Sequence, residues 1–327
     1  MPPKKGKKPP AHKLCAALDP GFILKDLKKK EWMIGNAIGS GGFGLLYLAD
    51  DASKSTVKDD AGYVIKVEPV KNGPLFCEIA FYQRAAKSED IDKWRKKTKL
   101  PFVGIPPYIA HGLHGSGDNG LRFMVMPRCG TDLHKTWLKL NKKFTRTTIA
   151  KLAIFMIDAL EYMHSMEYVH ADIKGANILQ GYKDPNNVYL VDFGLATRYM
   201  IEGTHKEYKA DPRKAHNGTI EYTSVDAHKG AAPSRRGDFE ILGFVLVHWV
   251  AGKLPWEEKL SDAQKVMELK MAAMKDPKRF VKSSCPSDMP DEILKYLVIV
   301  SNLEYEETPD YNKLRNIFKS FLKSTGT

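Results

Sequence analysis

Residues 169–179 read Val169-His170-Ala171-Asp172-Ile173-Lys174-Gly175-Ala176-Asn177-Ile178-Leu179, or VHADIKGANIL. Asp172 stands five residues before Asn177, with Lys174 between them. A carboxylate, a cation and an amide so spaced can accept a proton, stabilise developing negative charge and hold a metal ion during phosphoryl transfer. A lone Asp or Lys is ordinarily just solvated, so the rest of the chain must give this stretch its meaning.

Downstream, fifteen residues after Asn177, comes Asp192-Phe193-Gly194, a D-F-G whose carboxylate suits magnesium, a hard cation that takes oxygen ligands. Upstream, IGSGGFGLL (Ile38, Gly39, Ser40, Gly41, Gly42, Phe43, Gly44, Leu45, Leu46) carries the pattern GxGxxG. That pattern alone is weak, because dinucleotide-binding folds share it, and a plain glycine hairpin is the bland alternative. In a Rossmann unit the glycines open a helix, whereas here Leu45-Leu46-Tyr47-Leu48 continues as strand. A glycine turn between two strands lets the backbone approach triphosphate oxygens closely. Next is YVIKVE, with Lys66 inside an apolar strand. Taken singly it reads as an outward-facing residue. In a kinase such a Lys grips the nucleotide phosphates and pairs with a helical Glu, for which Glu78 is the candidate and Glu68 the rival. H-A-D-I-K-G-A-N then matches the kinase catalytic loop H-R-D-x-x-x-x-N, with Asp172 as base, Lys174 beside the transferred group, and Asn177 and Asp192 as metal ligands. Five elements in the right order on suitable secondary structures identify a protein-kinase domain, which implies ATP and Mg2+ as cofactors.

The wider pattern agrees. Runs at WMIGNAIGS, GLLYLAD, GYVIKVE and LRFMVMP predict strands. PLFCEIAFYQRAAK, TRTTIAKLAIFMIDALEYMHSM, DFEILGFVLVHWVAG, SDAQKVMELKMAAMK and DEILKYLVIVSNL predict helices. The expected class is therefore α+β: a bilobal fold with a β-rich N-lobe at about 21–127 and an α-helical C-lobe at about 128–327, behind a basic tail at 1–20. The Lys- and Pro-rich start, MPPKKGKKPPAHK, has little to bury and should be disordered. It has no apolar segment behind it, so no secretory signal is expected, and no run approaches the roughly 20 residues of a membrane span. The hydrophobic fraction of 43% is that of a globular protein. Cys15, Cys77, Cys129 and Cys285 lie far apart, which argues against a zinc site and for a reducing compartment. A net charge of +12 favours acidic or polyanionic partners, non-specific DNA contact through the tail among them, although a solvated basic surface explains it equally.

Beyond the shared motifs, the sequence resembles the vaccinia-related kinases within the casein kinase 1 group, over roughly 21–322. The carriers are NGPLFCEIAFYQRAAK, RFMVM, YVHADIKGANIL, VYLVDFGLATRY, NGTIEYTSVDAHKG, SRRGDFEILG and GKLPWEE. The resemblance implies that Met126 guards the adenine pocket and that Pro127, Arg128 and Cys129 form a hinge whose backbone bonds adenine. It further implies that Thr219 lies against Asp172 and Lys174, as in serine/threonine kinases, and that Asp238 supports the catalytic loop. Two departures stand out: Ser224-Val225-Asp226 where most kinases have A-P-E, as in the casein kinase 1 group, and D-F-G where this family usually has D-Y-G. Ala171 occupies the place of the H-R-D arginine, which elsewhere pairs with a phosphorylated activation loop. Alanine offers no charge, so the activation segment, Asp192 to Asp226, is expected to be ordered by its own packing and active without loop phosphorylation.

Two other classes remain distinguishable. A pseudokinase scaffold usually lacks the Lys, Asp or glycine-loop residues, and none is missing here. A nucleic-acid binder with an incidental kinase fold is motivated only by the basic tail and lacks stacking motifs. The resemblance implies protein substrates, histones or other chromatin proteins among them, a nuclear location with cytoplasm as a second site, and a monomer. Arg198, Lys206, Lys209, Arg213 and Lys214 in the activation segment are either a recruiting surface for acidic substrates or a solubilising one.

Overall fold

The computed structural model describes residues 15–40 and 44–326. Residues 1–14, with the basic tail run, and Gly41, Gly42 and Phe43 of the glycine turn lie outside the described residues. The chain forms two compact units, Met1–Ile79 with Tyr108–Arg128, and Ala80–Pro107 with Cys129–Thr327.

The first unit is an antiparallel sheet of β1 (Ile23–Lys25), β2 (Glu31–Ser40), β3 (Leu45–Asp51), β4 (Tyr63–Pro69), β5 (Ala110–His114) and β6 (Leu121–Pro127). Its order is β1-β2-β3-β4-β6-β5. Strand alternation divides β4: Ile65 and Val67 enter the main core with Trp32, Tyr47, Phe123 and Val125. Val64 instead packs with Leu48 and Ala61, with Leu46 and Met126 against them, and Lys66 shares this face by the period of two. Cys15 and Leu18, within the stretch assigned to the tail, also pack on the main core, and the Leu18 N–H donates to the Tyr47 hydroxyl at 2.9 Å. Helix α1 (Pro74–Ala85) starts here and runs into the second unit. Proline suits the first helical position because its missing N–H is not needed there.

The second unit holds α2 (Ser88–Thr98), β7 (Cys129–Asp132), α3 (Leu133–Lys139), α4 (Arg146–Ser165), β8 (Tyr168–Val169), β9 (Ile178–Gly181) and β10 (Val188–Leu190). Short strands β11 (Thr197–Arg198), β12 (Met200–Ile201) and β13 (Thr204–His205) follow. The chain closes with helices α5 (Val225–His228), α6 (Arg235–Ala251), α7 (Ala263–Lys275), α8 (Pro277–Ser284), α9 (Asp291–Ser301) and α10 (Tyr311–Ser324). Thr145 caps α4 by accepting from the Thr148 N–H at 3.1 Å. Helix α6, apolar nearly all round, is the buried axis of the unit: Phe239–Trp249 all lie inside. It ends at Gly252, whose φ of +84° a Cβ would oppose. Helix α2 has no buried residue, so no apolar stripe announces it in the sequence.

Candidate active site

In the first unit, Ile38, Gly39 and Ser40 end β2 and are exposed. Gly39 pairs with Leu46, and Leu46 with Lys66, across β2, β3 and β4. Gly44 has a steric reason to be glycine: a Cβ there would lie 2.4 Å from the Val67 carbonyl oxygen. Lys66 Nζ is 2.7 Å from Glu78 Oε2 in α1 and 3.9 Å from Glu68 Oε1. The strand neighbour is thus the farther partner. Glu68 is itself fully buried, and its Oε2 accepts the Leu75 N–H at 3.1 Å, satisfying one of the open donors at the start of α1. Met126, paired with Val64, and Pro127 close β6 half-buried.

In the second unit, Cys129 is half-buried at the start of β7, and burial pushes its thiol up to about 12. The catalytic-loop stretch is suspended from α6. Asp238, 1% exposed, accepts the His170 N–H through Oδ2 and the Ala171 N–H through Oδ1, both at 2.8 Å. His164 Nε2 lies 3.0 Å from the same Oδ2, and burial lowers its pKa, so the neutral ring donates there. The His170 ring is set by its neighbours: Nε2 donates to the Val191 carbonyl at 3.1 Å and Nδ1 accepts the Asp172 N–H at 3.2 Å. Ala171 has φ +65°, a left-handed conformation unusual for a residue with a Cβ.

Asp172 is surrounded by donors. Oδ1 accepts from Thr219 Oγ1 at 2.6 Å and from the Thr219 N–H at 3.0 Å. Oδ2 accepts from Lys174 Nζ at 2.7 Å and from Asn177 Nδ2 at 3.3 Å. Lys174 also donates to Thr219 Oγ1 at 2.8 Å, closing a triangle of Asp, Lys and Thr. Gly218, at φ +99°, permits this approach, since a Cβ would meet the Ala171 carbonyl oxygen at 3.2 Å. Asn177 Nδ2 is turned to Asp172, donating to its carbonyl at 2.9 Å as well as to Oδ2. The Asn177 carbonyl accepts the Val191 N–H at 2.9 Å, which ties the residue before Asp192 to this loop. Phe193 is buried, stacked on Phe81 at 3.9 Å between ring centroids.

The activation segment is tied down along its length. Residues 197–198 pair with β8, and Arg198 forms an ion pair with Glu167. The Tyr199 hydroxyl donates to the His164 carbonyl at 2.8 Å. Asp226, 4% exposed, receives Arg236 through Nε at 2.8 Å and Nη2 at 2.9 Å. Arg213 pairs with Asp211, and Lys206 is half-buried with its pKa lowered by burial and by Arg198 and Lys214.

Several functional-looking groups escape sequence reasoning. Glu240, inside α6, accepts the Val225 N–H at 2.7 Å and is raised to about 7 by burial. Glu221, His248 and Glu257 converge, yet His248 is engaged at both nitrogens, with the Tyr222 hydroxyl at 2.6 Å and Glu257 at 2.9 Å. Lys270 is fully buried. The sequence does carry a signal for it, since it occupies the apolar stripe Val266, Lys270, Ala273 of α7.

The family described as Protein kinase domain matches residues 32–306. The human serine/threonine-protein kinase VRK2 is 46% identical over 97% of this chain and 61% of its own length. The Drosophila melanogaster nucleosomal histone kinase 1 is 42% identical over 95% of this chain and 51% of its own length. The chain thus spans between half and two thirds of these two relatives. The solved structure of vaccinia related kinase 3 superposes with a TM-score of 0.86 at 33% identity, covering 95% of this chain and 94% of that one. No helix among the described residues is long and apolar enough to cross a membrane. The chain belongs to the protein kinase domain family and, within it, to the vaccinia-related kinases.

Proposed function

We propose that this chain transfers the γ-phosphoryl group of ATP to serine or threonine hydroxyls of proteins, with Asp172 as the proton acceptor. The observation that carries the reading is the closed triangle of Asp172, Lys174 and Thr219. Oδ1 and Oδ2 are held in fixed directions by four donors, so a substrate hydroxyl meets a preorganised acceptor. Lys174 keeps a cation beside the atom that loses the proton, where negative charge builds up. Thr219 bridges base and cation.

Lys66, oriented by Glu78, is assigned to the nucleotide phosphates. Ile38, Gly39, Ser40, Gly44 and Leu46, with Gly41, Gly42 and Phe43, are assigned to the nucleotide, and Met126, Pro127 and Cys129 to adenine. Asn177 and Asp192 offer oxygen donors alone, the set a hard divalent cation prefers over zinc or copper, and we assign them magnesium. When bound, magnesium would neutralise phosphate charge; the residues described here orient, stabilise and take the proton.

We further propose that the enzyme works without a phosphate on its activation segment. That reading rests on the pairing of 197–198 with β8, the Tyr199–His164 contact and the Asp226–Arg236 ion pair, none of which involves Ala171. The relative whose name is nucleosomal histone kinase supports histones or other chromatin proteins as substrates, and with them a nuclear location; DNA contact through the basic tail and a monomeric state belong to the same proposal. The deciding experiment is phosphate transfer from labelled ATP with magnesium to histones and casein, by phosphatase-treated enzyme, beside Asp172→Asn and Lys66→Met. Transfer by the treated enzyme that both substitutions abolish is expected. Nucleotide binding without transfer by the unsubstituted chain would show a scaffold instead.

A further inference from the structure

Lys270 is 0% exposed. Its ammonium donates to the carbonyls of Ile220 at 2.8 Å and Thr223 at 2.7 Å, and lies 3.2 Å from His228 Nε2. The rings of Phe244 and Trp256 flank it, with Nζ 5.4 and 5.5 Å from their centroids. Burial alone pulls its pKa down to about 7, against the attraction of Glu240 and Glu221. A methionine would fill this place without an ammonium to desolvate. What only the lysine supplies is a pair of donors for two carbonyls, at the first and last residues of the stretch 220–223.

The residues between are held from the same side. Trp256 Nε1 donates to the Glu221 carbonyl at 2.8 Å. The Tyr222 hydroxyl meets His248 Nδ1 at 2.6 Å. Every residue of 220–223 therefore has an anchor in α6, α7 or the turn between them. The stretch begins directly after Thr219, whose hydroxyl touches both Asp172 and Lys174. Ile220 and Glu221, the next residues along the backbone, are half-exposed and so open to a protein chain whose hydroxyl reaches Asp172.

We infer that Lys270, seconded by Trp256, is a positioning residue for the protein substrate: it sets the backbone of 220–223 so that a chain laid along it delivers its hydroxyl to Asp172. The inference rests on the kinase reading above and adds a division of labour, because Lys270 touches none of the residues assigned to the nucleotide.

The test uses the full chain with Lys270→Met, which keeps length and apolar contact but removes the donors. Steady-state transfer from ATP to casein should show a KM for casein raised on the order of tenfold, since two hydrogen bonds from a charged donor are lost. The KM for ATP should stay within about twofold. Trp256→Phe, which removes one neutral donor and keeps a ring, should move the casein KM the same way by about threefold. Amide hydrogen exchange, read without any substrate, should quicken at Thr219, Tyr222 and Thr223 in Lys270→Met and stay unchanged at His170 and Ala171. Unchanged casein kinetics together with unchanged exchange would overturn the inference. So would casein and ATP constants that rise together with a collapse in Tm in both variants, which would make Lys270 a core residue only. If the unsubstituted chain transfers no phosphate, the kinase reading fails on its own, and the exchange pattern still decides whether Lys270 sets the stretch.

Discussion

The catalytic loop at 170–177 and the stretch at 220–223 are both suspended from the helical core, but through opposite chemistry. The loop hangs by its N–H groups from one buried carboxylate, Asp238, which accepts from His170 and Ala171. The stretch hangs by its carbonyls from a buried ammonium and an indole, Lys270 and Trp256. Each of these anchors, Asp238, Lys270 and Trp256, binds backbone groups of the segment it holds. The difference lies in tolerance. A carboxylate gathering N–H groups leaves strongly desolvated donors behind when it is removed, and unpaired buried N–H groups are rarer than under-satisfied carbonyls. Loss of Asp238 should therefore cost stability, whereas loss of Lys270 should mainly cost substrate affinity.

The comparison can be broken or sharpened at four points. The largest effect is expected where the two segments meet the chemistry: Asp172→Asn should lower kcat about 10³-fold or more with Tm nearly unchanged, as measured by labelled-phosphate transfer and thermal melting. Asp238→Ala should destabilise the protein by about 3 kcal/mol in urea unfolding, because it orphans two backbone donors and the His164 partner; a loss below that of Lys270→Met would reverse the contrast drawn above. Thr219→Val, at the junction, keeps the shape but removes the hydroxyl that bridges Lys174 and Asp172, and should reduce kcat about tenfold or somewhat more while Thr219→Ser retains most of it.

The smallest effect concerns pH. Burial holds His248 down to about 4 and His228 to about 3, against 6.5 for an ordinary histidine. Between the two values the unfolded chain binds more protons, so stability is fully present above pH 6.5 and falls as the pH is lowered through 5 toward the folded values. His248→Gln should flatten that loss by about 1 kcal/mol between pH 6.5 and 5, a figure reduced for partial solvent screening. A slope identical to that of the unsubstituted chain would mean that His248 titrates normally and does not anchor Tyr222 as a neutral ring.

Legibility in the sequence followed locality. Asp172, Lys174 and Asn177 lie within six residues, and Asp192 follows in a motif of its own, so their short spacings are readable once the glycine turn and Lys66 stand in order before them. Lys66 needed a partner twelve residues away, and its choice between Glu78 and Glu68 was settled by distances of 2.7 and 3.9 Å. Helix α2 was invisible because it buries nothing, and an apolar stripe is what reveals a helix. Ala171 was legible as a missing charge, but not as a residue at φ +65° whose N–H is held by Asp238.

What the sequence determined by itself is the protein-kinase fold class and the order of β-rich and helical parts, and it nominated the acid, amide and lysine groups as candidates, because each depends on periodicity or short spacing. What the tertiary structure alone decided is which buried charges hold which backbone. Lys270 meets Ile220 and Thr223 across fifty and forty-seven residues, and Asp238 meets His170 across sixty-eight. A one-dimensional pattern records that a lysine interrupts an apolar stripe. Only the packing of α7 shows that two carbonyls are waiting for it.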